Sequence, residues 1–368
     1  MLTREIAKTI VLETSLRLNR NINIMDEKGI IIASGDTSRI DDIHEGALEV
    51  LKSGKTLIIH PNENGVWRGA QPGINLPILF QDRIVGVIGI TGNPEDIKEL
   101  GGIVKMTTEL MIKEKFIASQ LEWKQRTKEM IIEELLKGSP SYSNIERGLN
   151  LIGLNLKSPF ITHIIQLTER NITNQSLTDK IEGIIGEKHG LVGFISINRM
   201  FVAFLGLTQQ EADKKLRSIY LELKKLQLKF RLAYSTPFQS MSKFNQSYID
   251  CDLALKITDV EEDLISFAEV EAKALIYKID RDWGERFSNR IMNKTLIKFA
   301  DTLEAYFNNN LNIQKTADDL YLHRNTLIYR LNKIEEETGY DPKVFKDALT
   351  IQLALWTDKK LKSEEFIK

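Results

Sequence analysis

What this 368-residue chain has little of removes several classes of protein at once. Its one cysteine, Cys251, excludes an internal disulfide and with it the cysteine-stapled plan of small secreted domains. No stretch reaches the roughly 18 consecutive apolar residues of a membrane-spanning helix. The N-terminus, Met1-Leu2-Thr3-Arg4-Glu5, has no apolar signal-peptide core, so a soluble cytoplasmic protein without membrane contact is expected. A net charge of -1 excludes a generally polycationic nucleic-acid coat, so any basic surface must be local. Enzyme signatures are missing too: there is no glycine-rich phosphate loop, no His or Cys cluster at metal spacing and no nucleophile motif, and His60, His163 and His189 stand singly. Neither an enzyme nor a resident cofactor or metal is expected.

What is present is concentrated between Leu303 and Pro342. Ile313, Ala317 and Leu320 line one face of a short helix, Leu322 plugs a turn, and Leu327, Leu331 and Ile334 line a second helix at i, i+4 and i+7. Asn312 suits the cap of the first helix, His323 or Leu322 the break before the second, and Gly339 with Asp341-Pro342 the end. The spacing predicts a helix-turn-helix, although any helical hairpin shows such apolar spacing. With Leu327, Leu331 and Ile334 inward, Asn325, Tyr329 and Asn332 face outward, with Thr326 and Lys333 on one shoulder and Ile328 on the other. Arg324 and Arg330 lie on the flanks, placed to clamp phosphate or reach guanine from the edge, and Asn325 could pair two-fold with adenine. The partner expected is a DNA operator read by Arg324, Asn325, Thr326, Tyr329, Arg330 and Lys333.

The run from His323 to Glu335 closely resembles the C-terminal helix-turn-helix of the PucR and carbohydrate diacid regulator (CdaR) family of bacterial transcription factors. The resemblance extends to the N-terminal part through Asn21 to Asp26, Gly29 to Asp36, Arg39, Ile43 to Ala47 and Gly73 to Ile78, which look like the sugar-diacid recognition domain. It implies a ligand-responsive regulator of sugar-diacid or glycerate genes, an activator, with a small carboxylic acid as effector.

Periodicity divides the rest. Residues 1–137 read as helix, two strands, helix and three strands, a PAS-like or GAF-like α/β sensor, closed by a long helix that Asn93-Pro94-Glu95 starts. Along that helix Leu100, Ile103, Leu110, Ile117, Leu121, Ile131 and Leu135 recur at three, four or seven. This stripe pairs with a second copy or packs on its own domain; a homodimer or higher homo-oligomer is expected because helix-turn-helix proteins usually read two half-sites. After the linker Gly138 to Ser141, residues 141–262 alternate strand, helix, hairpin, helix, strand and helix, which suits a ferredoxin-like fold. The family resemblance implies a degenerate GGDEF-like module there, and the hairpin turn Ile197-Asn198-Arg199 has neither the carboxylates for Mg²⁺ nor the glycines for phosphate. A helical connector at 263–295 and an all-α helix-turn-helix domain at 296–362 complete the plan.

A carboxylate effector wants an arginine, His or Asn donors, and backbone amides. Ser34, Arg39, His44 near a helix start and Asn75 supply that set inside the family-like motifs, and a turn at Gly73 could add amides. Each has a plainer role: Asn75 as a turn cap, Ser34 as a loop contact, Arg39 as surface charge, His44 as a structural histidine. Asn23 and Met25, on an apolar strand, are assigned to core packing. The alternative function is a sensor or scaffold acting through protein contacts, or a nucleotide-related activity in the middle domain.

Overall fold

Residues 2–63, 66–169 and 171–365 are described by a computed structural model in which the chain divides into two units, Met1–Arg126 and Thr127–Lys368. The first opens with helix α1 (Arg4–Leu18), capped by the Thr3 hydroxyl on the Ile6 amide, followed by strands β1 (Ile22–Met25) and β2 (Ile31–Ser34). Helix α2 (Glu45–Ser53), strands β3 (Leu57–Ile59), β4 (Gly73–Phe80) and β5 (Arg83–Thr91), and the long helix α3 (Pro94–Leu135) follow. The five strands form one antiparallel sheet in the order β2-β1-β5-β4-β3.

Both faces of this sheet are covered, so its strands are buried almost throughout rather than alternating with water. The period of two still sorts them: Ile22, Ile24, Ile88 and Ile90 meet Ala7 and Ile10 of α1 and Ile97 and Val104 of α3. Met25, Ile31 and Val87 point the other way, onto Ala47 and Val50 of α2.

Helix α3 begins as the sequence reading expects, with the Asn93 side chain accepting from the Glu95 amide at 3.4 Å. Its last turns differ from expectation. Ile131, Ile132 and Leu135 are core residues of the second unit, packed with Ile145 and Leu149, so the apolar stripe serves two purposes. Ile131 and Leu135 pack within the chain, whereas Ile103, Leu110, Ile117 and Leu121 are exposed.

After the last turns of α3, the second unit has a helix that the sequence reading missed, α4 (Tyr142–Ile152), just past the linker expected up to Ser141. Then come β6 (Phe160–Glu169), α5 (Asn174–Ile185), β7 (Gly190–Ser196), β8 (Arg199–Leu205), α6 (Gln209–Lys225), β9 (Lys229–Tyr234) and α7 (Phe244–Ile257). The order βαββαβ puts β6 at the centre, in a sheet ordered β10-β9-β6-β8-β7. The additional strand β10 (Leu264–Ser266) runs parallel to β9. It opens the stretch expected to be a mere connector.

Helices α8 (Phe267–Tyr277) and α9 (Arg281–Ile291) follow, then α10 (Lys294–Lys298), α11 (Ala300–Asn308), α12 (Ile313–Asp319), α13 (Arg324–Thr338) and α14 (Phe345–Glu365). Leu327, Leu331 and Ile334 of α13 are fully buried beside Ala317, Leu303, Tyr306 and Ile351. Ile291 of α9 belongs to the same core, so the connector's second half packs with the C-terminal helices. Among the described residues no helix is long and apolar enough to cross a membrane.

Candidate functional site

A row of polar residues crosses the α2-facing side of the first sheet. The register sets Ser34 opposite Asn23, Asn23 opposite Gly89 and Gly89 opposite Asn75, and directly opposed residues in antiparallel pairs share a face. Ser34, Asn23 and Asn75 are all buried. The Ser34 hydroxyl donates to Asn23 Oδ1 at 2.6 Å and accepts from the Asp36 amide at 3.0 Å. Asn75 reaches over Gly89, where a Cβ would lie 2.8 Å from its Oδ1, so only glycine leaves room for the amide. Asn23, assigned from sequence to core packing, is a member of this row; its polar side chain on an otherwise apolar strand was the available signal.

The start of α2 closes the same side. His44 caps the helix, its Nδ1 accepting from the Ala47 amide at 3.1 Å, which places the ring proton on Nε2 and leaves that nitrogen a donor. Burial, and after it the Arg39 charge, pushes the His44 pKa down to about 4, so the ring is neutral near neutrality. Arg39, on a short 3₁₀ turn, donates one guanidinium nitrogen to the Gly69 carbonyl. Its other terminal nitrogen, Nη1, is buried without an acceptor among the described residues. The segment carrying Gly69 is tied to α2: the Glu45 amide donates to the Arg68 carbonyl at 3.1 Å, and the Arg68 amide to Glu45 Oε2 at 2.8 Å. A buried cationic N–H with no partner carries its whole desolvation penalty, which an entering carboxylate would cancel.

Gly73 is not in a turn. It lies within β4, opposite Ile59 and Thr91, and a Cβ there would fall 2.1 Å from the Ile90 carbonyl oxygen. Its glycine identity serves close strand packing, which corrects the expectation of ligand-facing amides.

The helix-turn-helix is built locally. Asn312 Oδ1 accepts from the Lys315 amide at 2.9 Å, the Leu322 amide donates to the Ala317 carbonyl at 2.8 Å, and His323 Nδ1 accepts from the Asn325 amide at 3.2 Å. Gly339 ends α13 in the left-handed conformation. Arg324, Asn325, Thr326 and Tyr329 are exposed on its outer side. Lys333 pairs with Glu337 at 3.6 Å, and Asn332 accepts from Lys343 at 3.0 Å. Arg330 departs from the phosphate-clamp expectation: it donates to Thr302 Oγ1 at 2.8 Å and stacks over the Phe299 ring at 5.6 Å. The side chain is half-buried, with Nη1 held by the core. No group of three or more His, Cys, Asp or Glu that could hold a metal occurs among the described residues.

Comparison with known proteins finds a family match over each of the two regions that carry these residues. Residues 2–135 match the family described as "Putative sugar diacid recognition", and residues 299–357 match the PucR C-terminal helix-turn-helix domain. Over 97% of this chain and 98% of its own length, the carbohydrate diacid regulator of Escherichia coli is 28% identical. An uncharacterized protein of Haemophilus influenzae is 27% identical over 94% of this chain and 96% of its own. The purine catabolism regulatory protein of Bacillus subtilis is 44% identical over 54 residues, 15% of this chain and 10% of that one.

Proposed function

We propose that this chain, a transcriptional regulator that joins a sugar-diacid recognition domain to a PucR-type helix-turn-helix, is an acid-responsive activator of genes for the uptake or breakdown of sugar diacids or glycerate. The single observation that carries the effector reading is the buried, unpartnered Nη1 of Arg39 beside the neutral, donor-bearing His44. A carboxylate placed there would meet a guanidinium and an imidazole N–H, with Ser34, Asn23 and Asn75 along the sheet for the hydroxyls of a sugar acid. Asn325, Tyr329 and Thr326 are the base-reading candidates on α13, with Arg324 on phosphate. Arg330 and Lys333 act from behind, through packing and through Glu337.

The covered antiparallel sheet of the first unit supports a PAS-like or GAF-like reading, and the βαββαβ order of the second supports a degenerate GGDEF-like one. In that module Arg199, in the hairpin where a cyclase would hold metal, is neutralised by Asp252 at 2.6 Å. The exposed Ile103, Leu110, Ile117 and Leu121 on α3 support pairing with a second copy in the cytoplasm, giving two recognition helices for two half-sites. Acid binding then biases α3, whose residues belong to both units, and shifts the dimer between arrangements of different DNA affinity. Such coupling amounts to about 1–3 kcal/mol and equals the ligand's difference in affinity for the two arrangements.

The test is thermal unfolding of the full chain with glycerate, glucarate, galactarate and neutral sugars. A stabilisation confined to one or more acids, lost in Arg39→Ala, is the expected result. Cooperative unfolding that no acid shifts would remove the sensor half of the reading and leave the DNA-binding half.

A further inference from the structure

Helix α9 carries a face that the acid response and the recognition helix do not use. Its buried side, Gly284, Ser288 and Ile291, packs inward, with the Gly284 Cβ position 3.3 Å from Thr357 Cγ2 of α14. On another side Trp283, Arg286, Phe287 and Arg290 follow at i, i+3, i+4 and i+7 and line a shallow cavity of about 310 Å³. Trp283 is 62% exposed, an unusual position for an indole. Arg290 stacks over the Phe287 ring at 5.9 Å, and Arg286 donates only to the Asp282 carbonyl, at 3.3 Å. Neither arginine is in an ion pair among the described residues, whereas Glu285 on the same helix is neutralised by Arg281 at 2.6 Å.

The recognition helix is poor in cations that are free to meet phosphate. Of its three, Arg330 is turned into the core and Lys333 is paired with Glu337, which leaves Arg324. A single phosphate contact per copy makes a weak, barely salt-dependent complex, since each neutralised phosphate contributes about 0.9 to the salt slope. Lys315 on α12, exposed and in no ion pair among the described residues, adds one more cation, and further positive charge lies on α9, which packs on α14 in the core that holds α13.

We propose that the Trp283-Arg286-Phe287-Arg290 face of α9 is a second contact to the sugar-phosphate backbone of duplex DNA, in which Arg286 and Arg290 neutralise phosphates while the Trp283 indole covers the sugar edge and donates its N–H. The inference rests on the DNA-binding reading of α13 and adds to it a surface outside the helix-turn-helix.

The experiment titrates the full chain onto a mixed-sequence DNA duplex by fluorescence anisotropy over a range of NaCl. For Arg286→Ala/Arg290→Ala the slope of log affinity against log salt should become shallower by about 1.8 per bound copy, two phosphates' worth, and for Arg324→Ala by about 0.9 per bound copy. Quenching of tryptophan emission on adding DNA should shrink in Trp283→Phe. If the alanine pair lowers helix content, Arg286→Gln/Arg290→Gln removes the charge and keeps the side-chain stems. An unchanged slope in the folded double variant, with Arg324→Ala still shallower, overturns the α9 contact alone. A wild-type chain that binds no duplex at low salt overturns the DNA-binding reading itself.

Discussion

Each of the two sheets buries polar side chains, and they differ in whether those side chains are answered. In the second unit Thr162 Oγ1 meets Ser247 Oγ at 2.8 Å, the Thr162 amide donates to Ser235 Oγ at 3.0 Å, and His163 Nδ1 lies 3.2 Å from the Val202 carbonyl oxygen. Every one of these groups is matched by protein, so the polarity there fixes one strand and helix arrangement and leaves nothing over for a ligand. In the first unit the Ser34–Asn23 pair and the His44 cap are matched, but Arg39 Nη1 is buried with no partner among the described residues. Ser15 Oγ, Asn21 Oδ1 and Thr108 Oγ1 are also unanswered in the first unit, but Arg39 Nη1 is the cationic one, and an unanswered buried cation is the group with most to gain from a carboxylate.

Acid should act on both sheets, and this is the largest effect expected. His44 and His163 are each pushed down to about 4, in both cases chiefly by burial, from about 6.5 in an unfolded chain. Each therefore contributes stability that is fully present above about 6.5 and is lost as pH falls toward 4, up to about 3 kcal/mol apiece. Urea unfolding across that range should show the loss, and His44→Gln and His163→Gln should each flatten part of it. A bound carboxylate favours protonated His44, so an effector should blunt the loss in the first unit and leave that in the second; equal blunting of both would erase the distinction.

Next comes the ligand itself. At a hundredfold excess over its dissociation constant, an effector acid should stabilise its unit by about 2.7 kcal/mol. Arg39→Ala should abolish that gain while leaving the unliganded protein as stable as before, or more so, because an unsatisfied buried donor is removed. A large loss of unliganded stability would instead class Arg39 with the saturated groups of the other sheet. The counterpart there is Thr162→Val, for which chemical denaturation should register a loss of about 1–2 kcal/mol with the acid response intact.

The same contrast on α13 gives the smallest effect. Arg330, satisfied by Thr302 and Phe299, should lose about 1 kcal/mol of stability as Arg330→Ala and little of the DNA salt slope, whereas Arg324→Ala should do the reverse. Combined unfolding and anisotropy measurements on the two variants separate the roles, and exchanged results would return Arg330 to the phosphate flank.

Local chemistry made much of this molecule legible from sequence. The caps at Asn312, His323 and Asn93, the stop at Gly339 and the buried triplet Leu327, Leu331 and Ile334 all depend on neighbours within about seven residues, which the chain order shows directly. Strand period and turn chemistry likewise outlined β1 to β9, and the outward face of α13 and the position of His44 at a helix start followed. Helix α4 was legible, since Ile145, Leu149 and Ile152 recur at i, i+4 and i+7, and was passed over behind the linker, whereas the three-residue strand β10 carries little periodic signal and exists only by pairing with β9.

The sequence by itself determined the helix-turn-helix, the alternation of strands and helices, and the stock of polar residues from which a carboxylate site could be made. Tertiary structure alone decided which of those residues are spoken for. Arg330 is claimed by Thr302, 28 residues away, and Gly73 by the Ile90 carbonyl; Asn23 by Ser34 across a strand pair; among the described residues only Arg39 keeps a buried side-chain nitrogen without a partner. Satisfaction of a donor depends on which acceptor folding brings within about 3 Å, and no pattern along the chain records that distance.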